Sequence, residues 1–192
     1  VLEVCEGLAE AHEAGLVHRD IKPGNLFLAR RPDGQSSVKI LDFGIAKQRA
    51  RSDSPALTNP GKSLGSPYYM SPEQMLTPAS VDERADVWSL GVLLFELLTQ
   101  RIPFDGESVP QVCANVLAAE PPLPRTLRPE LSPALEAIVL RCLEKQPQQR
   151  FRTVTDLACA LKPFASTTPR SDTLALDDLE PSTERTPPPS FA

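Results

Sequence analysis

The chain has 192 residues, of which 41% are hydrophobic and 23% charged, a balance that favours a folded domain over a disordered protein. Its net charge of −5 gives no basic surface for nucleic acid, and it lacks the run of about 18 apolar residues that a membrane span needs. The four cysteines form no C-x-x-C pair and there are only two histidines, which argues against a zinc site. We therefore expect buried free thiols and a cytoplasmic protein.

The chain opens with apolar residues at helical spacing, from Val1 to Ala11, and Gly15 is placed to end that helix. No capping residue precedes Val1, so we expect the helix to begin upstream of this sequence. Residues 18–25 then read His-Arg-Asp-Ile-Lys-Pro-Gly-Asn. A carboxylate, an amine, a guanidinium and a carboxamide so close together indicate a functional loop rather than an ordinary turn.

Two short apolar runs, at 26–28 and 38–41, lie on either side of an Asp-Gly turn signal at 33–34. This pattern predicts a β-hairpin. A second polar loop, Asp-Phe-Gly at 42–44, follows the hairpin directly. Residues 45–82 show little periodicity and are rich in Ser, Thr and Pro, which in a compact domain indicates a functional loop.

The second half of the chain is helical in pattern. Residues 84–100 are apolar on nearly all faces, which predicts a helix buried in the core. Ser132 before Pro133, and Thr153 with Asp156, supply helix start signals. The further helices predicted are 107–119, 133–145 and 153–162.

The composition changes after Pro163 to Ser, Thr and Pro with few large apolar residues. We therefore expect a folded domain over residues 1–163 and a disordered tail over residues 164–192. Residues 174–179 carry three leucines among acidic neighbours, a pattern that fits either a short docking motif or a solvated linker.

The polar segments share their order and spacing with one family. Residues 18–25, 42–44, 71–74 (Ser-Pro-Glu-Gln) and 86–91 (Asp-Val-Trp-Ser-Leu-Gly), followed by Arg150, resemble the C-terminal lobe of protein kinases, most closely bacterial serine/threonine kinases. The resemblance implies a kinase-like C-lobe, mainly α-helical with a small β-hairpin. It also implies a parent enzyme that transfers the γ-phosphate of ATP to protein Ser/Thr hydroxyls with Mg²⁺.

The resemblance assigns the reaction to a few side chains. Asp20 matches the residue that orients the substrate hydroxyl and accepts its proton, and Lys22 the residue that steadies the phosphate. Asn25 and Asp42 match the Mg²⁺ ligands of the ATP site, whose hard oxygen atoms suit that ion. Phe27 matches the residue beneath the adenine ring; by its sequence alone it would be a core aromatic, and the two roles are compatible.

Other residues match supporting roles. His18 matches a structural histidine that packs near Phe43. Arg19 is suited to pair with a phosphorylated residue of the activation loop, and we expect that residue to be Thr58 unless the loop is unmodified. Ser66 matches the residue that hydrogen-bonds the catalytic Asp and Lys.

Three more residues match structural positions of the family. Glu73 is expected to form a buried ion pair with Arg150. Asp86 is expected to hold the backbone of the loop at 18–25. Residues 69–72 are expected to shape the floor under a peptide substrate.

The family's N-terminal lobe is missing from the sequence, which contains no G-x-G-x-x-G motif. We therefore expect a kinase fragment that is inactive alone, and the alternative is a non-catalytic, kinase-like scaffold or interaction module. The expected partners are ATP and protein substrates, with no nucleic acid and no membrane segment in this chain. A cytoplasmic location would also fit the cytoplasmic part of a longer membrane-anchored kinase.

Overall fold

The computed structural model describes residues 1–30, 34–42 and 67–165. Within these ranges the protein is mainly helical with one two-stranded antiparallel sheet, as the sequence predicts. No helix there combines the length and the apolar character that crossing a bilayer requires. The elements are α1 (Leu2–Glu13), β1 (Leu26–Arg30), β2 (Ser36–Ile40), α2 (Pro72–Leu76), α3 (Arg84–Thr99), α4 (Val109–Ala118), α5 (Pro124–Leu127), α6 (Pro133–Cys142) and α7 (Val154–Leu161).

Helix α3 forms the centre of the core. Residues 85–95 are all buried, and α6 and α7 pack against this helix. The Trp88 ring stacks on the Phe104 ring with the centroids 5.5 Å apart. The helix ends at Thr99 because Gln100 adopts a left-handed backbone with φ of 60°. The pattern of a helix that is apolar all round therefore identified the core element correctly.

Helix α1 and the hairpin form one side of the molecule. Helix α1 packs against α7 and β2. In the hairpin Leu26 lies opposite Ile40, and a carboxylate oxygen of Glu3 in α1 accepts the Val38 N–H at 2.7 Å. Both strands extend further towards the turn than the predicted apolar runs. The ladder of hydrogen bonds continues there through Arg30 and Ser36.

The start signals of the last two helices are formed as predicted. The Ser132 hydroxyl accepts a backbone N–H at the start of α6, and Thr153 and Asp156 exchange two hydrogen bonds of 3.0 and 3.2 Å at the start of α7. Helix α6 ends at Cys142, earlier than predicted. The cause is local, because the Leu143 N–H bonds to two carbonyls and tightens the last turn.

All four cysteines are free thiols. Cys5 and Cys142 are buried, and burial raises the pKa of Cys5 to about 11 and also raises that of Cys142. Cys113 is half-buried and Cys159 is exposed. The prediction of buried thiols is therefore wrong for Cys159, which lies on the solvent side of α7.

Candidate active site

The Asp20 carboxylate is the centre of the loop formed by residues 18–25, called the polar loop below. The Lys22 ammonium nitrogen and the Asn25 amide nitrogen each lie 3.0 Å from the same oxygen, Oδ2 of Asp20. The Asn25 amide also donates to the Asp20 backbone carbonyl at 2.7 Å. Donors from two side chains therefore fix the direction in which this carboxylate points.

Asp86 anchors the polar loop to the core. Its carboxylate is fully buried in the first turn of α3 and accepts three N–H groups. They are the backbone N–H groups of His18 at 2.9 Å and Arg19 at 2.8 Å, and the ring Nε2 of His12 at 2.8 Å. A buried carboxylate requires such partners, and here the partners come from the polar loop and from α1.

Arg19 has a strained backbone. Its φ of 65° lies in the left-handed region, which costs a non-glycine residue about 1–3 kcal/mol. The backbone N–H of Arg19 donates to Asp86, and its backbone carbonyl accepts a hydrogen bond of 2.8 Å from the buried side-chain amide of Gln74 in α2. The Arg19 guanidinium donates to the Val81 carbonyl at 3.1 Å. The loop conformation is thus maintained by contacts with α2 and α3.

The His18 ring is fully buried and connects the polar loop to the end of the hairpin. Nε2 lies 3.1 Å from the Leu41 carbonyl, and Nδ1 lies 3.3 Å from the Asp20 backbone nitrogen. The tautomer with hydrogen on Nε2 satisfies both contacts. Phe43, expected beside this ring, lies outside the described residues.

Asn25 and Asp42 lie at the same end of the hairpin. The Leu41 backbone N–H donates to the Asn25 carbonyl at 2.8 Å, so the residue that follows Leu41 lies beside the polar loop. The Asp42 side chain is exposed. The side-chain nitrogen of Asn25 is turned towards Asp20, so the side-chain oxygen of Asn25 points away from that contact. A carboxylate and a carboxamide oxygen are donors that fit Mg²⁺.

Phe27 lies on β1 with 58% of its surface exposed. Its interpretation as a core aromatic is therefore wrong. No described element covers this part of the hairpin, which leaves an aromatic ring available to a flat, apolar ligand.

The residues before α2 are fixed to the core helix. The Tyr69 hydroxyl donates to Glu96 at 2.5 Å, and the Ser89 hydroxyl donates to the Tyr69 carbonyl at 2.8 Å. Burial and the contact with Glu96 raise the pKa of Tyr69 above its usual range. Tyr69, in the segment predicted to form a substrate floor, is therefore joined to α3 by two hydrogen bonds.

The structure brings Glu73 and Arg150 together. The two terminal guanidinium nitrogens reach the two carboxylate oxygens at 2.7 and 2.8 Å. The remaining donors of Arg150 contact the carbonyls of Arg84, Glu144 and Lys145. The Arg150 side chain is fully buried, whereas the Glu73 side chain is 12% exposed, so the prediction that both residues are buried is correct for Arg150 and wrong for Glu73.

Several predicted residues lie outside the described residues: Phe43, Gly44, Thr58 and Ser66. Conversely, His12 and Gln74 support the polar loop but were not predicted to do so. The sequence contains a signal for the role of His12, because this residue continues the apolar stripe of Val1, Cys5 and Leu8. A polar side chain on such a stripe needs a buried hydrogen-bond partner.

The protein kinase domain family matches residues 1–160. Over 161 residues the chain is 45% identical to the serine/threonine-protein kinase Pkn1 of Myxococcus xanthus, covering 83% of this chain and 23% of that protein. It is 42% identical to the kinase pkn3 of the same organism, over 78% of this chain and 28% of that protein. With PrkC of Bacillus subtilis the identity is 37%, over 83% of this chain and 24% of that protein.

The chain thus spans about a quarter of the length of these relatives. The matched region contains the whole polar loop, its anchor Asp86 and the Glu73–Arg150 pair. From this match and from the identity to bacterial serine/threonine kinases, the chain belongs to the protein kinase family.

Proposed function

We propose that residues 1–163 are the C-terminal lobe of a serine/threonine protein kinase and that residues 164–192 form a separate tail. The whole protein would transfer the γ-phosphate of ATP to serine and threonine hydroxyls of other proteins. The observation that supports this most directly is the Asp20 carboxylate, oriented by Lys22 and Asn25 in a loop that Asp86 anchors.

In the proposed reaction Asp20 accepts a hydrogen bond from the substrate hydroxyl and directs its oxygen towards the γ-phosphorus. As the substrate oxygen bonds to the γ-phosphorus, the bond from that phosphorus to the oxygen bridging to the β-phosphate breaks and ADP leaves with the electron pair, while the hydroxyl proton passes to the Asp20 carboxylate. Phosphoryl transfer depends mainly on positioning and charge stabilisation, so a carboxylate held by two donors is well suited to the task. Lys22, 3.0 Å from Asp20, places a positive charge where the phosphate would arrive.

Asn25 and Asp42 would hold Mg²⁺ through their side-chain oxygens. When bound, the ion neutralises the charge of the ATP phosphates. The exposed ring of Phe27 would contact the adenine from the side of this lobe. The remainder of the ATP site would come from other parts of the whole protein.

Activation would act through Arg19. Its strained backbone is part of the polar loop, so an anion that pairs with its guanidinium would stabilise the loop in its working conformation. Phosphorylated Thr58 is the proposed anion. Ser66 is proposed to contact Asp20 and Lys22, and His18 to act as a structural residue.

The test is phosphotransfer by the full-length protein from γ-labelled ATP to a mixed protein substrate, followed by phosphoamino acid analysis. We expect label on serine and threonine, dependence on Mg²⁺, and no activity from the 192-residue chain alone. Label on tyrosine would contradict the proposed specificity. Absence of transfer by a folded full-length protein would favour the scaffold or interaction module.

A further inference from the structure

The surface at the C-terminal end of α3 combines exposed leucines with exposed arginines. The three leucines are 39–54% exposed. Helix α5 packs against α3, and the Arg128 guanidinium donates to the Leu98 carbonyl at 3.1 Å, so the two helices form one continuous surface. We call this surface the arginine–leucine patch and define it by six exposed residues: Leu97, Arg101, Leu123, Arg125, Leu127 and Arg128.

Two of these arginines have no carboxylate partner. Among the described residues, no carboxylate oxygen lies within 4.0 Å of the Arg101 or Arg125 guanidinium. Arg128 lies 2.8 Å from Glu130, but the two side chains are 46% and 66% exposed, and such a pair contributes little and can exchange for another carboxylate. Glu136 accepts the Arg125 backbone N–H at 2.7 Å. The patch therefore fits an occupant that carries both apolar and acidic side chains.

One segment of the same chain has this composition. Residues 174–180 read Leu-Ala-Leu-Asp-Asp-Leu-Glu. They contain three carboxylates and no basic residue, so their net charge is −3. Apart from Phe191, their leucines are the only large apolar residues after residue 165. A solvated linker has no need of three leucines, whereas a segment that binds to a folded domain does.

We propose that residues 174–180 bind to the arginine–leucine patch of their own chain. The leucines of the segment would cover the leucines of the patch, and its carboxylates would pair with the arginines. The described part of the chain ends at Ala165 after α7, which packs against α3 and α6, the two helices that also contact α5.

The length of the connection favours binding within one chain. The eight residues 166–173 link Ala165 to Leu174 and can span about 30 Å, which is most of the width of a domain of this size. A short flexible tether gives a local concentration in the millimolar range. A segment of only weak affinity would therefore occupy the patch of its own chain before that of a second copy.

Binding at this place would leave the candidate active site open. Asp86 and Leu97 are eleven residues apart on α3, which is about 16 Å along the helix. The bound segment would lie at the opposite end of α3 from the polar loop. The proposal therefore does not depend on the phosphotransfer proposed above.

The test is photo-crosslinking in the full-length protein, with a benzophenone amino acid placed at residue 175, between two leucines of the segment. A mixture of protein labelled with ¹⁴N and with ¹⁵N is irradiated, and the crosslinked peptides are identified by mass spectrometry. We expect crosslinks to residues 97–101 or 123–128, with both peptides of each pair carrying the same isotope. The same label at residue 190 is the control and should show no preference for the patch.

Charge reversal then tests the recognition itself. The double variant Arg101→Glu with Arg128→Glu should lower the yield of these crosslinks at least about fivefold, because each reversal replaces attraction by repulsion. Arg152→Glu, at an exposed arginine outside the patch, should leave the yield unchanged. Adding Asp177→Lys and Asp178→Lys to the double variant should restore the yield.

Three results would overturn the proposal. The first is a label at residue 175 that reacts with other surfaces as often as with the patch. The second is a random mixture of isotopes in the crosslinked pairs, which would assign the patch to the segment of a second copy. The third is a double variant that crosslinks as well as the wild type.

Discussion

The ion pair between Glu73 and the buried Arg150 allows a quantitative test of how the fold is held together. The Glu73→Gln variant keeps the size of the side chain but removes its charge and replaces one acceptor by an NH₂ group that faces a guanidinium donor. Arg150 stays charged and fully buried. Breaking a buried pair in this way costs about 3–5 kcal/mol, and we expect about 3 kcal/mol because Arg150 keeps its three carbonyl partners.

The assay is thermal unfolding followed by circular dichroism. For a domain of this size a loss of about 3 kcal/mol lowers the melting temperature by about 6–12 °C. The matched control is Glu130→Gln, which breaks the 2.8 Å pair with Arg128 at a site where the two side chains are 46% and 66% exposed. We expect no shift beyond error in the control, because exposed pairs contribute little. If the Glu73→Gln variant melted at the wild-type temperature, or if the control lost as much stability, the Glu73–Arg150 pair would not hold the fold together as described.

Three other predictions concern the core. His12→Ala should lower the free energy of unfolding by about 2–3 kcal/mol in urea titrations, because the buried carboxylate it contacts loses a donor; an unchanged midpoint would contradict this. Gly91→Ala should lower the free energy of unfolding by about 1–3 kcal/mol in the same assay, because the added Cβ would lie 2.5 Å from the Cβ of Cys142. Helix propensity alone predicts the opposite, so a stabilised variant would exclude this close contact. Iodoacetamide should modify Cys159 in the folded protein but should modify Cys5 and Cys142 only after unfolding, which mass spectrometry can measure. Rapid labelling of either buried thiol in the folded protein would contradict the packing of α1 and α6.

Features coded by neighbouring residues were predicted well. The apolar residues of α3 indicated a buried helix, and Ser132 and Thr153 marked helix starts that the structure contains. Helices α2 and α5 were not predicted, because five and four residues are too few to show a helical period. Both helices carry a local start signal in the proline at their first position, and α2 also has a capping box formed by Ser71 and Gln74.

Features that depend on distant residues were predicted less well. His12 and Asp86 are 74 residues apart in sequence, and no spacing rule joins them. The exposure of Phe27 depends on which element covers the hairpin, and its apolar neighbours in sequence suggested the opposite.

The role proposed for the Asp20 carboxylate as proton acceptor can be measured on the turnover number of the Asp20→Asn variant of the full-length protein. Asparagine keeps the shape but cannot accept the proton, so kcat should fall by about 10²–10⁴-fold while the melting temperature stays within a few degrees of the wild type. Asp105→Asn, the same change at an exposed position, should leave kcat unaltered. A folded Asp20→Asn protein with near-normal kcat would contradict the proposed mechanism.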